Sequence, residues 1–322
     1  MTDNKVSWSR GTVLSVEPAA EGIAQIVIGT EQPCRVAPGS HVDVTVDTGD
    51  IRSYSIVSGG RDGMSVTLGV RLSPTSRGGS RFMHSLVPGD ELAITAPLQN
   101  FPLRIGAPRY VLLAGGIGIT AIAAMAAGLR RVDADYRLLY VGRSRAAMAF
   151  LPELAAAHGD RLAVHVDDEG TGLDVAAMMT GVDHSTELYM CGPIRLMDAV
   201  RRTWMDRELP LPNLRYETFG NSGWFDAQEF TVTIPRLGIE TTVGTGESML
   251  EALERAGADM MFDCRKGECG LCLVDVLDVD GTVDHRDVFF SESQRGTSRK
   301  LCSCVSRVAG TRDGASLTLD IP

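Results

Sequence analysis

The chain has 322 residues, 44% of them hydrophobic and 22% charged, which is the make-up of a globular protein of two or three domains and excludes a disordered chain or a polytopic membrane protein. It carries 31 Lys and Arg against 41 Asp and Glu, a formal charge of −10. That balance argues against nucleic acid as the main partner, because phosphate binding needs a basic surface, and it suits a partner with a basic patch.

Residues 1–106 read as all-β. Short runs such as GTVLSVEP, IAQIVIGT, SHVDVTV, RSYSIVS, MSVTLGVRL and ELAITAP recur roughly every ten residues between Gly, Pro and Asp turns, the signature of an antiparallel barrel or sandwich. One helix is predicted at Gly79–Val87. From 107 to 222 the period changes. YVLLAG, YRLLYVG, LAVHVD and ELYMCG alternate with helical stretches at Thr120–Arg131, Ala146–His158, Asp174–Thr180 and Pro193–Glu208, which predicts a parallel α/β sheet. Tyr110–Leu129 is twenty residues without a charge, yet it divides into a β-rich half, a glycine turn and an Ala-rich half, so it reads as a buried strand and helix, not a membrane span. Residues 223–322 return to a mixed α+β pattern. FTVTI and IETTV form a hairpin, Ser248-Met249-Leu250-Glu251 opens a helix with a capping box, and strands follow at Leu271–Val279, LCSCVSR and SLTLDI. The N-terminal MTDNKVSWSR has no apolar stretch and is not a signal peptide, so a cytoplasmic setting without disulfides is expected.

Five of the seven cysteines lie between 264 and 304. Cys264, Cys269 and Cys272 form C-x4-C-x2-C, with further cysteines about thirty residues on, the plant-type spacing for a [2Fe–2S] cluster held by four thiolates. One loop must wrap a small inorganic core and aim three sulfurs inward, and Gly267 and Gly270 permit that tight backbone. A zinc site would pair CxxC with a second CxxC or a His pair, and neither is present. Cys302 and Cys304 are two apart, so on a strand both face one side and either can be the fourth ligand.

Three other motifs carry weaker signals. In Arg52-Ser53-Tyr54-Ser55, alternation puts Arg52 and Tyr54 on one face, where an Arg can pair with a phosphate, a Tyr can cover an aromatic ring and Ser55 can donate to a ring nitrogen. Arg77-Gly78-Gly79-Ser80 precedes the predicted helix and offers free N–H groups to an anion. Gly115-Gly116-Ile117-Gly118-Ile119-Thr120 joins a strand to a helix, which favours close approach of a pyrophosphate, but no acid follows the next strand, so this departs from the usual dinucleotide fingerprint. Cys191-Gly192-Pro193 ends a strand and starts a helix. The six histidines make no metal-ligand spacing, and Asp284-His285-Arg286-Asp287 reads as a turn-stabilising set.

Taken in order, RSYS, SRGGS, AGGIGIT, YMCGP, YETFG, the cysteine loop, DHRD and CVSR resemble the motifs of the phthalate dioxygenase reductase family, within the ferredoxin–NADP reductase-like flavoproteins, along essentially the whole chain. The resemblance implies a multidomain chain: a flavin-binding antiparallel β-barrel domain (1–106), an NAD-binding α/β parallel-sheet domain (107–222) and an α+β β-grasp ferredoxin domain (223–322). It implies that Arg52, Tyr54 and Ser55 contact the flavin and that Arg77, Gly78, Gly79 and Ser80 hold its phosphate. Gly116, Gly118 and Thr120 would line the nucleotide site across from Cys191, Gly192 and Pro193, with Phe219 near the flavin ring. Ser55, Cys191 and Phe219 would stand at the reacting atoms. Iron would be held by Cys264, Cys269, Cys272 and Cys304.

The electron count agrees. A nicotinamide delivers two electrons, a [2Fe–2S] cluster accepts one, and a flavin is the adaptor between them. The chain shows no Rieske Cys–His pairs and no mononuclear iron triad, so the expected activity is that of an NADH-dependent reductase feeding a separate terminal oxygenase through a transient complex. The alternatives are an electron-transfer subunit of a larger dehydrogenase and a reductase for a cytochrome P450. FMN is expected over FAD, because no aromatic residue lies between Ser55 and Ser80 to stack an adenine and the GGS turn suits a phosphate monoester. NADH is expected over NADPH, although Arg143 and Arg145 could attract a 2′-phosphate. A monomer that binds neither nucleic acid nor membrane completes the expectation.

Overall fold

The computed structural model describes residues 6–73, 78–219, 223–310 and 314–321. They fall into two compact units, Met1–Gly192 with Ala199–Glu217, and Pro193–Asp198 with Thr218–Pro322.

The first unit opens with seven antiparallel strands: β1 (Trp8–Ala20), β2 (Ile23–Thr30), β3 (Ser40–Thr45), β4 (Ile51–Gly59), β5 (Ser65–Arg71), β6 (Glu91–Thr95) and β7 (Leu98–Gln99). Their order is β4-β5-β2-β1-β6-β3-β7, and a β3–β4 pairing closes six of them into a barrel. The period-2 pattern drives closure. On β5, Val66, Leu68 and Val70 point inward, where they meet Ile26, Ile28 and Ile94. Each such side chain contributes about 2 kcal/mol on burial, enough to fix the register. Helix α1 (Gly79–Ser85) packs on β5 and ends two residues before the sequence places its end.

The same unit holds a parallel sheet of β8 (Arg109–Gly115), β9 (Tyr136–Gly142), β10 (Leu162–Val166), β11 (Thr186–Cys191) and β12 (Leu214–Glu217), linked by α2 (Ile119–Arg131), α3 (Leu151–His158), α4 (Val175–Met179) and α5 (Ile194–Asp206), whose residues up to Asp198 count with the second unit. The order β10-β9-β8-β11-β12 reverses direction between β8 and β11, which puts the ligand crevice of such a sheet outside the carboxyl ends of those two strands. The helix expected at Ala146–His158 is split into a 3-10 turn, Arg145–Ala147, and α3. Pro152 has no N–H to continue a helix from upstream, and Phe150 turns the chain with a left-handed φ of 59°. Strand β12, which the sequence reading passed over, is the motif Leu214-Arg215-Tyr216-Glu217.

In the second unit, β13 (Phe230–Ile234) and β14 (Ile239–Val243) form the expected hairpin, and α6 (Met249–Arg255) begins with the Ser248–Glu251 capping box. The chain continues through β15 (Leu273–Asp280), β16 (Thr282–Asp284), α7 (Glu292–Thr297), β17 (Lys300–Cys302), β18 (Arg307–Ala309) and β19 (Ser316–Asp320). The sheet order is β14-β13-β19-β15-β17, with β13 and β19 parallel, and β16 pairs with β18 alongside. Met249, Leu250 and Leu253 bury one face of α6 in this core. Among the described residues no helix is long and apolar enough to cross a membrane.

Candidate functional site

Strand β4 carries the first constellation. It pairs with β3 so that Arg52 lies opposite Val44 and Tyr54 opposite Val42, which places Arg52 and Tyr54 on one face as alternation requires. They converge on the start of α1. A β-carbon on Gly79 would lie 2.9 Å from Arg52 Cγ and 3.1 Å from Tyr54 Oη, so only glycine leaves that cradle open. Gly78 turns the chain there with a φ of 94°, and Ser80 Oγ accepts from the Ser73 N–H at 3.1 Å. Burial pushes the Tyr54 phenol up to about 12, against the opposing pull of Arg52, so the phenol stays a neutral donor. Arg52 holds Asp50 at 3.1 Å. Arg77 lies outside the described residues.

On the opposite face of β4, Ser55 Oγ donates to Glu217 Oε2 at 3.4 Å, and both are buried. Sequence reasoning missed Glu217. An acid closing a short apolar strand, in the YETFG motif, was the available signal.

The second constellation lies at the switch point. Gly116–Gly118 forms a 3-10 turn leading into α2, and Gly116 has a φ of 53°. A β-carbon on Gly118 would collide with the Cys191 carbonyl, and one on Gly192 would come within 3.0 Å of Gly115 Cα, so the two loops touch backbone to backbone. Thr120 is buried and its hydroxyl donates to the Ile117 carbonyl at 2.9 Å, so it shapes the turn. Its methyl would meet a β-carbon at Gly69 on β5 at 2.7 Å, which brings α2 close against the barrel. Cys191 is buried, and Pro193 is exposed and accepts the first backbone bonds of α5. Beyond β9, Arg145 makes a bidentate pair with Glu169 at 2.7 and 2.8 Å, and that hydrogen bond holds the Glu169 carboxyl below its ordinary value.

The third constellation is the cysteine loop. Cys264 Sγ accepts from the N–H groups of Lys266, Glu268 and Cys269 at 3.4 Å each, the pattern of backbone donors that a metal-bound thiolate requires. The sulfurs of Cys272 and Cys304 stand 3.1 Å apart. Hydrogen bonds from Cys302 and then Cys304 hold the Cys272 thiol far down, near 3, while burial pushes Cys264 up. Cys304 interacts with Cys264 and with the Gly267 N–H of the loop, whereas Cys302, which closes β17, faces Cys272 and Asp287. The residues present therefore fit a four-thiolate cluster. Glu268 Oε1 accepts from the Thr218 N–H at 2.8 Å, and Phe219 beside it is half-buried.

The chain is similar to known iron–sulfur reductases over most of its length. The family model described as "2Fe-2S iron-sulfur cluster binding domain" matches residues 232–309. The chain is 33% identical over 319 residues to the carnitine monooxygenase reductase subunit of Escherichia coli K12, covering 96% of this chain and 97% of that protein. It is 29% identical to the crystallised phthalate dioxygenase reductase, described as a modular structure for electron transfer from pyridine nucleotides to [2Fe–2S], with a TM-score of 0.71 and 98% of both chains covered. An intact self-sufficient cytochrome P450 monooxygenase is 34% identical with a TM-score of 0.66; the chain spans 41% of its length.

Proposed function

The chain belongs to the phthalate dioxygenase reductase family, and from that premise we propose that it is an NADH-dependent flavin and iron–sulfur reductase that passes electrons singly to a separate terminal oxygenase. The single observation that carries the reading is the presence in one chain of the Gly79 cradle under Arg52 and Tyr54, the Gly118–Cys191 backbone contact at the switch point, and a C-x4-C-x2-C loop whose Cys272 sulfur stands 3.1 Å from that of Cys304. When bound, a flavin would supply the link between a two-electron donor and a one-electron acceptor.

The chain's own residues do the rest. Arg52 and the Gly78-Gly79-Ser80 turn, with Arg77, hold the flavin phosphate, and Tyr54 covers its ring. Ser55, whose single hydroxyl proton goes to Glu217 here, would turn that proton to the ring when the flavin binds. The bare backbone at Gly116, Gly118 and Gly192 admits the dinucleotide, and Thr120, Cys191 and Pro193 shape the crevice around it. Phe219 is the aromatic residue that the family resemblance sets near the ring. Cys264, Cys269, Cys272 and Cys304 hold iron. The domains run 1–106, 107–222 and 223–322, and the protein works as a cytoplasmic monomer with FMN. The pairing of Arg145 with Glu169 neutralises one of the two arginines an NADPH phosphate would seek and supports NADH.

A second reading, reductase to a cytochrome P450, is favoured by the likeness to the self-sufficient monooxygenase. One experiment tests the main proposal. The purified protein reduces cytochrome c with NADH, and its heat-released flavin co-migrates with FMN. A colourless protein without turnover overturns the proposal, and a FAD peak overturns the FMN assignment alone. Assay with the oxygenase and with a P450 encoded near the gene separates the two partners.

A further inference from the structure

From the last residue of β16 onward the chain buries four ionisable side chains in a row, Asp284, His285, Arg286 and Asp287. Burying charge is costly unless each group is paired. Two of the four are paired fully. Asp284 accepts from the N–H groups of Trp224 at 2.9 Å and Phe225 at 3.4 Å and from Arg286 Nε at 2.7 Å, and Arg286 also donates to the Phe225 carbonyl. They fasten the segment at 224–225.

The other two face elsewhere. Asp287 is 0% exposed. Its Oδ2 accepts from the Phe290 N–H at 2.9 Å, with Arg295 Nε 3.7 Å away, and its Oδ1 looks at His285 Nδ1 across 3.4 Å. Among the described residues, that Oδ1 and both ring nitrogens of His285 lack a hydrogen bond of good geometry. Arg295 is divided, since its Nη1 binds Asp198 at 2.7 Å while Nη2 donates to the Asp287 carbonyl. The carboxylate of Asp287 is thus incompletely offset. It also lies against the cysteine loop. The Val288 N–H donates to the Gly267 carbonyl at 3.0 Å, and a β-carbon on Gly267 would come 2.8 Å from Asp287 Cα. Gly267 sits between Cys264 and Cys269.

Resting on the cluster assignment above, we propose that Asp287 is a positioning residue whose buried carboxylate lowers the reduction potential of the cluster, and that Arg295 acts in the opposite sense. Negative charge at low dielectric opposes the arrival of an electron, and cluster potentials follow local charge. The step affected is the passage of one electron from the reduced flavin to the cluster. Asp287 makes and breaks no bond in it.

The test uses the full-length holoprotein, with Asp287→Asn and Arg295→Gln, iron and acid-labile sulfide assayed, and the cluster absorption followed in a redox titration. At a solution potential near the wild-type midpoint, Asp287→Asn raises the reduced-to-oxidised ratio about tenfold, which is about 59 mV for a one-electron couple. Arg295→Gln lowers it. A buried carboxylate with a merely structural role would not move the two variants in opposite directions. Shifts of one sign, or no shift in variants with full iron, overturn the proposal. Where Asp287→Asn fails to hold iron, the sign seen in Arg295→Gln decides, and loss of the cluster in both variants overturns the electrostatic role. Wild-type protein without iron and sulfide would instead sink the cluster assignment beneath it.

Discussion

The hydroxyl of Ser55, on barrel strand β4, donates at 3.4 Å to Oε2 of Glu217, at the end of β12 in the parallel sheet, and both groups are buried. One hydrogen bond therefore ties the two sheets of the first unit together at the strand proposed to face the flavin. Ser55→Ala is expected to slow reduction of the bound flavin by NADH by about a hundredfold, the lower end of the range for a positioned proton-handling group. The loss of a buried bond to a charged acceptor also costs about 2 kcal/mol of stability. Stopped-flow absorbance at the flavin band and denaturant melts check both, and an unchanged reduction rate would remove Ser55 from the reacting centre.

Burial holds the phenols of Tyr54 and Tyr189 up to about 12. In the unfolded chain a tyrosine ionises near 10. The unfolded state therefore binds fewer protons than the folded state between those values, and stability falls as pH rises from about 10 towards 12. The urea midpoint should be level from pH 8 to 9 and drop by pH 11. Tyr54→Phe should flatten that drop, and an equally steep fall in the variant would contradict the assignment.

Gly118→Ala tests the contact between the two loops proposed to bind the nucleotide. The added methyl collides with the Cys191 carbonyl, which is backbone and cannot swing aside. Overpacking of this kind costs about 1–3 kcal/mol, and relief requires the ends of β8 and β11 to part. NADH affinity, read by titrating the charge-transfer absorbance, should weaken at least about tenfold, by the usual relation of 1.4 kcal/mol per decade. Flavin content should stay at wild-type level, because the Gly79 cradle is untouched.

The parts of this architecture that rest on local chemistry were legible in the sequence. Alternation placed Arg52 and Tyr54 together, the cysteine spacing marked the loop, and the Ser248–Glu251 box marked α6. The same logic, applied to Ser291 and Gln294, would have found α7, whose capping box has both reciprocal bonds. The pairing of β16 with β18 and of Ser55 with Glu217 could not be read, because the partners lie far apart in the chain and nothing local encodes their register. Asp287 was hidden for another reason. A run of four polar residues looks like a solvated turn until tertiary packing buries it.

Arg145 stands beyond β9 where a 2′-phosphate would need a cation, and its bidentate partner Glu169 satisfies it at the surface. The wild-type protein is expected to prefer NADH by at least about tenfold in kcat/KM, which is about 1.4 kcal/mol. Glu169→Gln leaves the guanidinium charged and unneutralised, so NADPH efficiency should rise while NADH efficiency holds, and the gain should shrink at high salt. Equal use of both nucleotides by the wild-type protein would show that the pair opens when the phosphate arrives.

The fourth thiolate is the last point on which sequence and structure meet. Cys302 closes β17 opposite Leu273 and hydrogen-bonds with Cys272. Cys304 stands past the strand end, 3.1 Å from the Cys272 sulfur, and interacts with Cys264 and the Gly267 N–H. The link of Cys304 to the Cys264 loop supports it as the proposed fourth ligand. Cys304→Ser should abolish the cluster's visible absorption and its iron while leaving the flavin bound, because the barrel belongs to the other unit. Cys302→Ser should retain iron and acid-labile sulfide at wild-type stoichiometry, at a cost of about 1–3 kcal/mol for a hydroxyl in a fully buried position. NADH should still bleach the flavin of Cys304→Ser, but cytochrome c reduction should fall at least about tenfold, since the one-electron outlet is gone. A cluster that survives in Cys304→Ser and vanishes in Cys302→Ser would reverse the assignment and require β17 to turn its last residue towards the loop.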